Sequence, residues 1–282
     1  MTRGFFSRLL PRSMRRAVPV VPVVRLAGTI GMGTPLRPAL TLQGVNDTLE
    51  RAFRRKAIAA VALIINSPGG SAAQSSLIAG RIRTLAEKHK VKTYAFVEDV
   101  AASGGYWVAT AADEIYADHN SIVGSIGVMA ATFGFVEAMK KVGIERRVYT
   151  AGRHKLMLDP FQPEKQEDIE RLKALQVDVH EAFKRIVRTR RGVRLKENDE
   201  TFSGAFWSGR RALEMGLVDG LGEMHSVLKD KHGDKVELIE MHRPGGWLQR
   251  RLGGLSSQTA AAATGGLIDE LEVRALWARF GL

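Results

Sequence analysis

The chain has no cysteine, which removes disulfides, thiol nucleophiles and thiolate metal sites together. That usage fits a reducing compartment, and the expected location is cytoplasmic, with the inner face of a membrane as a peripheral option. No stretch reaches the ~20 apolar residues that a transmembrane helix needs. Ala17-Val-Pro-Val-Val-Pro-Val-Val24 follows a run of arginines as a signal-peptide core would. It holds two prolines, meets Arg25 at once and lacks a clear small-residue cleavage site, so a first core strand suits it better. Acids are missing from residues 1–16, which carry Arg3, Arg8, Arg12, Arg15 and Arg16. No aromatic-laced nucleic-acid motif accompanies the net charge of +12, so nucleic acid is not an expected partner. The basic start, with Phe5, Phe6, Leu9 and Leu10 among its arginines, suits either an anionic membrane surface or a disordered tail. A second basic run spans Lys184 to Arg194 and reads most simply as a solvated face.

The apolar residues fall into an alternating pattern. Val18–Leu26 reads as a strand, and Gly31–Pro38 as a loop rich in Gly and Pro. Leu42, Val45, Leu49, Ala52 and Phe53 share one helix face. Ala57–Ile65 is continuously apolar, the signature of a strand covered on both sides. A turn at Asn66-Ser-Pro-Gly-Gly-Ser71, a helix over 72–88, a strand over Lys92–Val97 and a second glycine turn follow. This order predicts an α/β fold with parallel strands. Further strands are expected at Glu114–Ala117, Ile126–Ala131 and Arg147–Thr150, with a helix at Phe135–Lys141. Pro163 is suited to open a long helix with Ile169, Leu172, Leu175, Val179, Phe183 and Ile186 on its apolar stripe. A short helix is expected at Ser208–Met215, ending at Gly216. Three regions result: a basic segment 1–17, a catalytic domain 18–242, and 243–282 as linker and C-terminal amphipathic helix.

Chemistry concentrates at Asp99-Val-Ala-Ala-Ser-Gly-Gly-Tyr106. A serine where a strand passes into a small-residue helix lies among unpaired N–H groups that favour developing negative charge. The plain alternative for Ser103 is an ordinary helix cap. Sites in open α/β sheets form beyond the carboxyl ends of strands, so both glycine turns should face one crevice. The amides of Gly70 and Gly104 would then converge as an oxyanion hole, unless these are only tight turns. A phosphate loop fits less well, because Ser67–Ser71 lacks the lysine of a P-loop.

A serine nucleophile needs a base. His89, His180, His225 and His232 lie in charged helices, and His119 and His154 lie in loops without an evident carboxylate partner. Lys155 sits between a predicted strand and the apolar Leu156-Met-Leu158 run. A lysine acts as a base only where burial and neighbouring cations favour its neutral form. From its local sequence alone, Lys155 reads as an ordinary solvated side chain rather than as a base.

Five collinear motifs change the weighting. Asn66-Ser-Pro-Gly-Gly-Ser71, Ala101-Ala-Ser-Gly-Gly-Tyr106, Gly124-Ser-Ile-Gly-Val128, Gly152-Arg-His-Lys155 and Gly216-Leu-Val-Asp-Gly220 together resemble the signal peptide peptidase A family of serine proteases. The resemblance runs over roughly residues 20–240. It implies a Clp protease/crotonase-like spiral of ββα units and a Ser/Lys dyad, a convergent variant of the Ser/His/Asp triad. Carried over, it makes Ser103 the nucleophile, Lys155 the general base, Ser125 the hydroxyl that steadies the lysine, and Gly70 and Gly104 the oxyanion donors. After Asn120-Ser121 the chain has Ile-Val-Gly-Ser-Ile126, where Clp-type relatives carry a catalytic His; this departure favours the lysine dyad. The resemblance also implies a homo-oligomeric ring with the dyad shared between subunits, in which the basic helix 163–191 and Leu156–Leu158 would form interfaces. Two other features depart from the family: its usual N-terminal membrane anchor has no counterpart, and Thr201–Gly209 follows its pattern only loosely. The implied activity is cleavage of extended apolar peptides such as signal-peptide remnants, with no cofactor and no metal. Two rivals remain: a crotonase-type acyl-CoA enzyme, whose only nearby acids are Asp113 and Glu114, and an inactive scaffold at a membrane surface.

Overall fold

The computed structural model describes residues 18–31, 33, 39–242 and 273–282. The basic segment 1–17 and the proposed linker lie outside them. Strands β1 (Val20–Ala27), β2 (Val61–Ser67) and β3 (Thr93–Ala102) form the centre of the sheet, with helices α1 (Leu42–Arg54) and α2 (Ala72–His89) in the two crossovers. Every residue of β2 except Asn66 is buried, as a strand covered on both faces requires. On α1, Val45, Leu49, Ala52 and Phe53 all enter the core, while the Thr41 hydroxyl caps its start by accepting from the Gly44 amide.

The sheet order is β6-β5-β3-β2-β1-β8, with β4 and β7 branching from β3. Neighbours are parallel, except that β5 (Ile122–Gly124) runs antiparallel to β6 (Phe206–Ser208). The long strand β3 divides between two partners. Its Tyr94–Val97 half pairs with β4 (Glu114–Ala117), and its Val100–Ala102 end pairs with β5. A register shift in β2 between Ile65 and Ser67 accompanies the division. The last three residues of β3 stay in the sheet, with Ala101 beside Ser67 of β2 and all three paired to β5, and deliver the chain to Ser103.

A buried clamp fixes the C-terminal part. Helix α5 (Gln166–Arg191) ends in Arg191, whose side chain is 1% exposed. Its guanidinium donates to both carboxylate oxygens of Asp219, at 2.8 and 3.0 Å, and to the Gly216 carbonyl at 2.8 Å. Asp219 also accepts from the Ile115 amide of β4. Burial would push its carboxyl up, but the hydrogen bonds and charge of Arg191, the Ile115 amide and the charge of Arg194 hold it below its usual value. Gly216, at φ +73°, leaves room for the Arg194 carbonyl, which a Cβ would strike. The Gly216-Leu-Val-Asp motif is thus a fold clamp linking α5, β4 and β7 (Gly220–Leu221). Helices α6 (Gly209–Glu214) and α7 (Met224–His232) and strand β8 (Glu237–Glu240) complete the domain.

Two expected strands are not formed. Residues 126–131 and 147–150 are irregular, and no residue between Gly127 and Glu167 is buried. Strand β5 ends early because Ser125 turns the backbone to φ +51°. Beyond it the chain leaves the body as an arm carrying α4 (Val136–Val142), which pairs with no strand of the sheet among the described residues. The long helix starts at Gln166 rather than at Pro163, and its stripe is covered only toward Phe183 and Val187; Leu175 is exposed. At the C-terminus, residues 273–278 are helical. Phe280 packs on Val100 and Ala102, and Trp277 packs beside Ile122.

Candidate active site

Ser103 connects β3 to α3 (Gly104–Ala109) with φ +51° and ψ −123°. A non-glycine residue there stores about 1–3 kcal/mol, which the surroundings must hold in place. Here the Ser103 amide donates to the Gly124 carbonyl at 2.8 Å, and the Trp107 amide donates to the Ser103 carbonyl at 3.0 Å. The ordinary-cap alternative fails on comparison within the chain. Ser71 and Ser208 cap their helices through Oγ, whereas the Ser103 hydroxyl makes no such bond. It is held at a strained turn and is unengaged among the described residues.

The two glycine turns do face one crevice. A Cβ on Gly69 would lie 2.8 Å from the Ser103 Cβ and 2.9 Å from the Gly104 nitrogen. One on Gly104 would lie 3.5 Å from the Gly70 nitrogen. Gly70 (φ +136°) is bracketed by Ile30, whose amide donates to the Gly69 carbonyl and whose carbonyl accepts from the Ser71 amide, both at 2.8 Å. Among the described residues, neither the Gly70 nor the Gly104 N–H donates a hydrogen bond. Two converging, unpaired amides beside a free hydroxyl are what an oxyanion hole requires.

Two residues of this scaffold escaped sequence reasoning. The Ile30 backbone sets the Gly70 turn, and Ser75 packs its hydroxyl against Gly104 while donating to the Ser71 carbonyl at 2.8 Å. Only the position of Ser75 in the first turn after a serine cap hinted at a role. Tyr106 anchors α3 from behind through its hydroxyl, which donates to the Leu217 carbonyl at 2.8 Å. Complete burial pushes that phenol above its usual range.

Ser125 follows the Gly124 carbonyl that holds Ser103, and is 4% exposed. Its φ equals that of Ser103, +51°. The Trp207 ring lies over Gly124, where a Cβ would be 2.7 Å from it. Lys155 is placed differently: it lies exposed on the arm, and its side chain makes no hydrogen bond or ion pair among the described residues. The structure brings together Ser103, Gly70, Gly104 and Ser125; among the described residues no hydrogen bond or ion pair joins exposed Lys155 to them. Neither loop histidine bonds to Ser103. His154 Nε2 lies 3.4 Å from Arg171 and 3.8 Å from Glu167, a carboxylate neighbour its local sequence did not suggest. No three His, Cys, Asp or Glu side chains among the described residues gather as a metal site.

The acids that an acyl-CoA enzyme would need are committed elsewhere. Asp113 accepts from Thr93 and Arg83, and Glu114 from Tyr116, with Lys92 and Lys231 beside it. Burial opposes ionisation of Glu114, but these partners outweigh it and draw its carboxyl down to about 2.

The model of peptidase family S49 matches residues 85–237, more than half of the chain. The chain belongs to peptidase family S49. A model of ClpP-like SDH-type serine proteinases matches residues 7–146, in keeping with the ClpP-like α/β sheet described above. Chloroplastic serine protease SPPA of Arabidopsis thaliana is 29% identical over 90% of this chain and 39% of its own length. Protease 4 of Haemophilus influenzae is 29% identical over 74% of this chain and 34% of its own length. A Brucella abortus protein named Na(+)/H(+) antiporter NhaA is 52% identical over 99% of this chain, a match covering 39% of that protein. The chain thus spans about two fifths or less of these S49-like relatives. No described helix is long and apolar enough to cross a membrane.

Proposed function

We propose that the chain is the catalytic unit of a serine endopeptidase that cleaves extended apolar peptides through a Ser103–Lys155 dyad. One observation carries the reading: the unengaged hydroxyl of Ser103 stands at a strained turn beside the unpaired amides of Gly70 and Gly104. In the reaction, Ser103 Oγ attacks the scissile carbonyl and its proton passes to the neutral amine of Lys155. The two glycine amides bind the resulting oxyanion. Collapse breaks the C–N bond, and Lys155 returns the proton to the leaving amine. Water then attacks the acyl-enzyme with Lys155 again as base, which frees the acid and restores Ser103. Ser125 orients the ammonium between steps.

Lys155 reaches this site from a neighbouring copy. The arm that bears it exposes Met129, Phe133, Val142, Ile144 and Tyr149, an apolar surface of the kind that marks an interface. Packing of arms in a ring would exclude water around Lys155 and favour its uncharged form. Contact of segment 1–17 with an anionic membrane belongs to the same proposal.

Replacing Ser103 or Lys155 by Ala should abolish hydrolysis of an apolar peptide while leaving the circular dichroism spectrum unchanged. Full activity in either variant would overturn the assignment. An inactive scaffold, the second reading, would give no hydrolysis in the parent protein.

A further inference from the structure

A cleft of about 300 Å³ opens between α2 and α5, beside Trp107 of α3 and the Thr110-Ala111 segment that follows it. That volume lies at the lower end of small-molecule sites. Its apolar lining includes Ala79, Trp107 and Ile186. Gly80 lies on the α2 wall, in a helix interior where glycine weakens the helix relative to alanine. No close approach calls for it, because a Cβ there would meet nothing within 4 Å. The glycine keeps the cleft open.

The rim is basic. Arg83 and Arg190 both turn to Asp113, at 2.8 and 3.4 Å, and Arg190 also donates to the carbonyls of Thr110 and Ala112. Burial and the charge of Arg83 lower the Arg190 guanidinium from its ordinary value. Arg185, also lining the cleft, has no hydrogen-bond or ion-pair partner among the described residues. Over an apolar floor, Arg83 thus meets two carboxylates, Asp113 and Glu87; Arg190 shares Asp113, and Arg185 alone of the three has no carboxylate among the described residues.

We infer that this cleft binds a small molecule with an apolar body ending in a carboxylate, its head on Arg185 and its body over Trp107. The planar guanidinium fork matches a carboxylate, and the floor matches an alkyl or apolar side chain. Two sources present that chemistry: a medium-chain fatty acid, and the new C-terminus of a cleaved apolar peptide. The Trp107 amide holds the Ser103 carbonyl, so an occupant would rest against the helix that carries Ser103. Binding itself is independent of the peptidase reading and is measured without turnover.

The test is calorimetric titration of the full chain with decanoate and, separately, with N-acetyl-Leu-Ala, using decanol as the uncharged control. One or both carboxylates should bind at one site per chain, and the tighter identifies the source. Arg185→Ala should weaken binding about tenfold or more, the loss expected for a charge-assisted hydrogen bond. Gly80→Leu, which fills the cleft, should abolish it; Ser76→Leu fills the same space from the next turn if the first variant folds poorly. Decanoate-induced change in tryptophan fluorescence should vanish in Trp107→Phe. No binding of either carboxylate, equal binding of decanol, or undiminished binding in folded Gly80→Leu or Ser76→Leu would overturn the inference.

Discussion

Gly104→Ala isolates the proposed oxyanion hole from the rest of the site. The backbone at Gly104 is not left-handed, so alanine is conformationally acceptable there. The obstacle is steric, since the new methyl would run into the Ser75 hydroxyl. Ser75 is fully buried and tied to the Ser71 carbonyl, so α3 must shift and carry the Gly104 amide off its aim. Misplacing one oxyanion donor costs ~100- to 1,000-fold in kcat, about 2.7–4 kcal/mol. Ser75→Ala provides the rescue. With the hydroxyl gone, the methyl would meet the Ser75 Cβ at 3.4 Å and the Gly70 nitrogen at 3.5 Å, ordinary contact distances. Steady-state hydrolysis of a fluorogenic apolar peptide should show a large fall in kcat and a small change in KM for Gly104→Ala. The Ser75→Ala/Gly104→Ala protein should recover most of kcat, and Ser75→Ala alone should stay near the parent. A fully active Gly104→Ala protein, or a double variant as slow as the single, would refute the reasoning.

Mixing Ser103→Ala with Lys155→Ala protein at equal amounts and reassembling should restore about one quarter of the parent activity, because random neighbours pair an intact serine with an intact lysine in one junction of four; a dyad within one chain restores none. Arg191→Leu should destabilise the fold in urea denaturation, by less than the ~3–5 kcal/mol of a fully unpaired buried charge because Asp219 keeps Arg194 at 2.7 Å. Acid should unfold the domain through Asp219 and Glu114. Both carboxyls sit below their unfolded values, so their stabilisation is present above the ordinary carboxylate range, about pH 4, and is lost on acidification, for Glu114 as pH falls toward about 2 and for Asp219 as pH falls through its lowered value. Asp219→Asn should flatten that loss in a denaturation series from pH 5 to 2, and an unchanged slope would contradict the clamp.

Much of the site was legible because its residues obey local rules. Glycine turns after apolar strands announce a crevice, and the crevice is there, with Gly69 against Ser103. What stayed hidden depends on partners distant in sequence. Strand β3 reads as ending at Val97 because Glu98 and Asp99 break the apolar run. In the fold they bond laterally, Glu98 to Arg25 and Asp99 to Asn66, and the strand continues to Ala102. The left-handed backbone of Ser103 and Ser125 has no sequence signature, since each is imposed by neighbours. The arm misled for another reason. Its β-branched and apolar residues match strand periodicity, and periodicity does not distinguish a face that pairs within the chain from one that meets another molecule. The Gly216-Leu-Val-Asp motif was legible as a motif, but only the coordinates show it acting through Arg191 as a clamp.

The most direct test of the account is a fluorophosphonate probe, followed by digestion and mass spectrometry to locate the adduct. The account predicts one phosphonylated residue, Ser103, with labelling lost in Lys155→Ala and strongly reduced in Gly104→Ala. An adduct on a different serine, or peptide hydrolysis by a protein whose Ser103 stays unmodified, would contradict it.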